Sequence, residues 1–233
     1  TMQRSLVQLI QKSGYSVEVV GFYFGLFSLK MPKNFGVYLS WYFSPDTGFW
    51  RKVLFNNNVF ECMLSAPHEM TIGYKKNNKG DWEPLLKPQV KNSNLVMIDE
   101  QINGCMKYVR KHMNEFCIDK INLSKERWKV FFILIRFMVF PRKDQVQRYG
   151  KFFFSGEVSE SKLACLVDSS TIGLLKNYLM APRIKRKILS SKSICDCQWL
   201  YWAYGSAAFL PFYQRVWYIL NIIVSECRRI CSL

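Results

Sequence analysis

The sequence predicts an α/β fold: an incomplete Rossmann-like half over residues 1–120, with a helix-rich C-terminal part over residues 121–233 packed on it. Three observations carry this. Met2, Leu6, Leu9 and Ile10 recur on one helical face, and Gln3, Arg4, Gln8, Gln11 and Lys12 cover the other. Val17 to Phe24 is a near-continuous apolar run interrupted by Glu18 and Gly21, the pattern of a strand covered on both faces. Residues 124–140 and 216–230 are dominated by aromatic and aliphatic side chains at helical spacing.

The elements follow in order. Ser13-Gly14 ends the first helix, glycine being suited to the left-handed residue after a helix. A chain that opens on a helix feeding a buried strand reads as a fragment that lacks the strand before it. Met31-Pro32 punctuates an aromatic stretch, and a helix is expected from Arg51 to Leu64, broken at Ser65-Ala66-Pro67 because the residue before proline leaves helical geometry. Thr71–Lys76 and Trp82–Leu86 read as a strand pair around the turn residues Asn77-Asn78-Lys79-Gly80. Ile98, Ile102, Cys105, Val109 and Phe116 mark a long amphipathic helix, with His112 on its flank in a structural role.

Ser124 is placed to cap the next helix, which stops at Pro141. Trp128, Phe131, Phe132, Leu134, Ile135, Phe137 and Met138 surround it, so it reads as a buried core helix. Val216 to Ile230 forms the last helix, with Gln214, Asn221, Ser225 and Arg228 as a narrow polar stripe expected to face solvent. Its remaining breadth must meet the core, a partner or lipid, and Arg215, Arg228 and Arg229 favour an acidic bilayer. No segment is apolar and long enough to read as a membrane span.

Lys and Arg number 33 against 17 Asp and Glu, a net charge of +16. Such a balance favours anionic partners: nucleic acid, phosphorylated small molecules or an acidic membrane face. Basic and aromatic residues do not alternate in a nucleic-acid recognition pattern, so a specific nucleic-acid partner is disfavoured. The dense run Arg183-Ile184-Lys185-Arg186-Lys187 reads as a solvated loop. The eight cysteines form no Cys-x-x-Cys pair and do not sit near the two histidines at zinc spacing, so no metal is expected. Reduced thiols and the absence of a signal peptide fit a cytoplasmic protein, peripheral to a membrane at most.

There is no glycine-rich phosphate loop and no Gly-x-Ser-x-Gly elbow. Leu166-Val167-Asp168-Ser169-Ser170-Thr171 has the wrong spacing for an aspartate nucleophile loop: the threonine comes one residue early, and Ser170 replaces a second aspartate. The most informative stretch is Asn57 to Tyr74. It sets His68 directly after Pro67 and puts Glu61 seven residues before it. A Pro-His corner between helix and strand suits either a loop-holding imidazole or one presented to a ligand.

Thr1-Met2-Gln3-Arg4-Ser5-Leu6, Gly21-Phe22-Tyr23-Phe24-Gly25 and the Glu61-x-x-x-Ser65-Ala66-Pro67-His68-x-x-Thr71-x-Gly73-Tyr74 segment resemble the C-terminal region of bacterial polysaccharide-biosynthesis proteins. Those proteins are described as haloacid-dehalogenase-superfamily hydrolases and are sometimes fused to glycosyltransferases. Their phosphatase nucleophile lies upstream of this region and has no counterpart here. The resemblance implies a substrate-binding or assembly module handling a phosphorylated or nucleotide-linked sugar, with no cofactor of its own. His68 would contact phosphate or transfer a proton, Glu61 would orient it, and Arg4, Thr71 and Tyr74 would contact ligand. The alternatives are a glycosyltransferase-like domain with His68 as acid or base, and a non-enzymatic module binding anionic membrane or nucleic acid.

Overall fold

The computed structural model describes residues 2–27, 35–68, 71–86, 94–113, 121–154, 164–167 and 201–231. The chain is mixed α/β. In order it runs α1 (Met2–Lys12), β1 (Val20–Gly25), β2 (Val37–Phe43), α2 (Phe49–Val53), α3 (Asn57–Met63), β3 (Thr71–Lys76), β4 (Trp82–Leu86), α4 (Leu95–His112), α5 (Leu123–Met138), α6 (Lys143–Tyr149), β5 (Phe153–Phe154), β6 (Ala164–Cys165), α7 (Ala203–Ala207) and α8 (Phe212–Cys231). The described strands pair two by two: β1 with β2 in parallel, β3 with β4 and β5 with β6 antiparallel.

The first unit is α1 on the β1–β2 pair, and Gln3 joins them. Its side-chain amide donates to the carbonyls of Phe35 at 2.9 Å, Val37 at 3.1 Å and Val19 at 3.4 Å. Its carbonyl accepts the Tyr23 hydroxyl at 2.7 Å. A Cβ on Gly21 would collide with that same Gln3 carbonyl, and one on Gly25 would meet the Phe43 ring at 2.5–2.7 Å. Both glycines of the strand therefore serve close approach. The expectation of a strand covered on both faces fails for its first half. Val20 stands opposite Val37 and Phe22 opposite Leu39, and all four are exposed, Phe22 to 80%. The Gln3 side of the sheet is covered, and the described residues leave the other side open.

The far end of β1 enters the core. The Phe24 ring lies 4.8 Å from Tyr42, 4.5 Å from Phe60 and 5.8 Å from Phe55. The single helix expected over 51–64 is two helices. Asn56 breaks it by accepting Val59 N–H at 2.9 Å as the N-cap of α3, which satisfies one of the orphan donors of a helix start. Asn56 and Asn58 then both donate to the Tyr201 carbonyl, at 3.1 and 3.2 Å. Trp202 follows, fully buried, with its indole N–H on the Met138 carbonyl at 2.8 Å. One hydrophobic core thus runs from Tyr42, Phe43, Val59 and Ile98 to Phe131, Met138, Phe152, Trp202 and Ile222.

Other expectations also needed correction. Asn122, not Ser124, caps α5, accepting Lys125 N–H at 3.1 Å. That helix is buried on one side only: Phe131, Leu134 and Met138 face inward, while Trp128, Phe132 and Ile133 are exposed. In α4 only the N-terminal end is buried, at Ile98, and Cys105 and Val109 are exposed. Phe116 lies outside the described residues, as do the 168–171 loop and the 183–187 basic run. In α8 the polar stripe does not face solvent as a unit: Ser225 is buried, Gln214 and Asn221 are half-buried, and Arg228 alone of the four is exposed. The β3–β4 hairpin lies where expected, its turn held by Asn77 Oδ1 accepting Lys79 N–H and Asp81 N–H, each at 2.9 Å. No helix among the described residues is long and apolar enough to cross a membrane.

Candidate functional site

The residues singled out by sequence sit on two units. Arg4 projects from α1, exposed, with its guanidinium 5.3 Å from the Phe35 ring centroid. Glu61, on α3, is exposed and accepts the Asn57 side-chain amide at 2.6 Å. His68 is exposed in the segment between α3 and β3. Thr71 and Tyr74 follow on β3, opposite Leu86 and Pro84. Thr71 is half-buried and Tyr74 exposed, and Lys76, two residues further on, lies over the Trp82 ring at 5.3 Å. The Asn57–Glu61 bond is a contact within α3, so it gives Glu61 a local partner whatever His68 does. Among the described residues no group of three or more His, Cys, Asp or Glu side chains could hold a metal ion.

A cationic pair that the sequence reading missed stands elsewhere. Arg51 projects from the short helix α2 and Arg127 from the first turns of α5, both half-buried. The Nε atom of each is buried and has no hydrogen-bond partner. Burial lowers the pKa of Arg51, and the positive charge of Arg127 lowers it further, so the two guanidinium groups act on each other. Their sequence neighbours are engaged with other groups. Glu126, the one carboxylate of α5, pairs with Lys129 at 2.6 Å. Lys52, beside Arg51, is buried and satisfied by the Pro45 carbonyl at 2.7 Å. Arg51 instead lies over the Tyr42 ring, 5.8 Å from its centroid, and burial raises the Tyr42 hydroxyl pKa.

Buried polar groups are nearly always hydrogen-bonded, and a buried charge without a counter-charge is costly. Two guanidinium groups that act on each other and whose buried Nε atoms lack an acceptor therefore suit an anion, and a planar fork matches phosphate oxygens in a bidentate way. Each arginine is also next in sequence to an exposed tryptophan, Trp50 and Trp128. The sequence signal was faint: the two positions belong to elements far apart in the chain, and each reads as one cation on an aromatic helix.

The chain matches no protein-family profile, no curated protein sequence and no solved structure.

Proposed function

We propose that this chain is a non-catalytic binding module for a phosphorylated or nucleotide-linked sugar, serving a protein of cell-surface polysaccharide biosynthesis. The observation that carries the reading is the Arg51–Arg127 pair, two mutually repelling guanidinium groups with no carboxylate or carbonyl on their buried Nε atoms. A phosphate or diphosphate supplies the missing acceptors and cancels the repulsion. The net charge of +16 raises the local concentration of such a ligand.

The sugar-handling part rests on the resemblance of the Met2-Gln3, Gly21–Gly25 and Glu61–Tyr74 segments to polysaccharide-biosynthesis proteins. Two of those segments meet in one joint, since Gln3 binds Tyr23 and occupies the space above Gly21. That joint, with α1 against a parallel β1–β2 pair, is also what supports an incomplete Rossmann-like half. His68, Thr71 and Tyr74 are the ligand contacts proposed on the α3–β3 side, with Glu61 orienting His68 and Arg4 adding charge from α1.

Isothermal titration tests the function with a nucleoside-diphosphate sugar and, separately, the same sugar without phosphate. Binding of the first alone is the expected result. Equal binding of both, or of neither, overturns the reading.

A further inference from the structure

The outer side of α5 mixes cations with apolar side chains. Lys125, Lys129, Phe132 and Arg136 follow at steps of four, three and four residues, so they lie along one line of the helix. The line is about 16 Å long, at a rise of 1.5 Å per residue. All four side chains are exposed. Trp128 and Ile133 flank them and are exposed to 53% and 65%. The Trp128 and Phe132 rings stack on each other, with centroids 6.1 Å apart. The opposite side of the helix meets the core through Phe131, Leu134 and Met138. Glu126, the one carboxylate of α5, pairs with Lys129 and leaves the row positive through Lys125 and Arg136.

We infer that this side of α5 rests on an anionic lipid surface. The cations set the partner, because each Lys or Arg near an anionic bilayer gains from its negative surface potential. Trp128, Phe132 and Ile133 are residue types that enter the boundary between headgroups and acyl chains. Long Lys and Arg stems lie along such apolar surface while their charged ends reach the headgroups. A second copy of the chain fits poorly, since two such rows face to face bring like charges together. A nucleic acid would engage the cations but gives the aliphatic Ile133 no apolar partner.

The bilayer contact expected at α8 thus falls to α5. In α8 Arg215 donates to the Pro141 carbonyl at 2.9 Å, and Arg229 pairs with the buried Glu226 at 2.7 Å. Arg228 alone of the three arginines of α8 is exposed.

The test is co-sedimentation of the whole chain with vesicles of phosphatidylcholine, alone or containing about one third phosphatidylserine. Four proteins are compared, each below its own melting temperature: the wild type, Lys125→Gln with Arg136→Gln, Phe132→Ser with Ile133→Ser, and Lys107→Gln with Lys111→Gln. The last pair is exposed on α4 and removes the same charge elsewhere. The wild type is expected to sediment with the anionic vesicles only. The α5 charge variant should bind them roughly thirtyfold more weakly, at about 1 kcal/mol for each cation. The Phe132 and Ile133 variant should lose binding with every cation in place, and the α4 variant should bind close to the wild type. A wild type that ignores anionic vesicles overturns the inference. So does an equal loss in the α4 and α5 charge variants, which leaves only net charge, or undiminished binding without Phe132 and Ile133. Vesicle binding abolished by pyrophosphate at fixed ionic strength assigns it to Arg51 and Arg127 instead. Duplex DNA that binds more tightly than the vesicles, and is lost with the α5 cations alone, assigns the row to nucleic acid.

Discussion

Tyr23 donates its hydroxyl to Gln3 Oε1 at 2.7 Å, and through that bond the first helix is locked to the first strand. Tyr23 in turn stacks on Tyr38 at 6.0 Å, so both strands of the parallel pair take part. Burial is the first cause of its raised hydroxyl pKa, with Tyr38 adding to it.

Gln3→Ala leaves the Phe35 and Val37 carbonyls and the Tyr23 hydroxyl without their partner. The expected loss is about 2–3 kcal/mol, at roughly 1 kcal/mol per bond. Gly21→Ala pushes a methyl group into the same amide and is expected to destabilise comparably. The two act on one joint, so the double variant should lose clearly less than the sum. Urea denaturation of the four proteins measures this coupling. Strict additivity would mean that Gly21 does not act through Gln3.

Asn56 both caps α3 and holds the Tyr201 carbonyl, whereas Asn58 does only the second. Asn56→Ala is expected to cost about 2 kcal/mol, the sum of a cap and a buried hydrogen bond, and Asn58→Ala about half of that. Thermal unfolding of the two variants gives the order. An Asn58 variant as unstable as the Asn56 variant contradicts the assignment.

The buried Cys62 thiol is pushed up to about 12 by desolvation, with the Glu61 carboxylate adding to the shift. Its folded pKa lies above its unfolded value near 9, so the folded state holds the proton more tightly. The contribution to stability is whole below pH 9 and declines as pH rises from about 9 towards 12. Replacing Cys62 with Ala should flatten that part of the stability profile. At pH 8 the exposed Cys105 and Cys231 should alkylate in the folded chain, and Cys62 should react only after unfolding. Mass spectrometry of the alkylated peptides checks the order.

The strand pair around Asn77–Gly80 was legible in the sequence because its turn chemistry is local. The breaks and faces were not. A helix over 51–64 looked continuous because Asn56 is read as a cap only once the Tyr201 carbonyl is seen to need it. The face of α8 was misjudged for a related reason. Ser225 and Glu226 are buried there, Glu226 with its own ion pair, and a polar residue buried with its partner carries no mark in a hydropathy pattern. The segment around His68 stood out because proline, histidine and carboxylate are conspicuous residue types. The Arg51–Arg127 pair did not, because its meaning lies in the mutual influence of two cations and the lack of an acceptor on their buried Nε atoms, and neither is a property of spacing.

Anion binding by Arg51 and Arg127 is the central claim, and thermal unfolding against added pyrophosphate at fixed ionic strength tests it most directly. A ligand that binds only the folded chain stabilises it by about 2.7 kcal/mol at a hundred times its dissociation constant. The melting temperature of the wild type is therefore expected to rise with pyrophosphate. Arg51→Gln and Arg127→Gln should each abolish the rise and, without ligand, melt no lower than the wild type, because each removes one of two repelling charges. A rise that persists undiminished in both variants would contradict the account, as would variants that melt well below the wild type before any ligand is added.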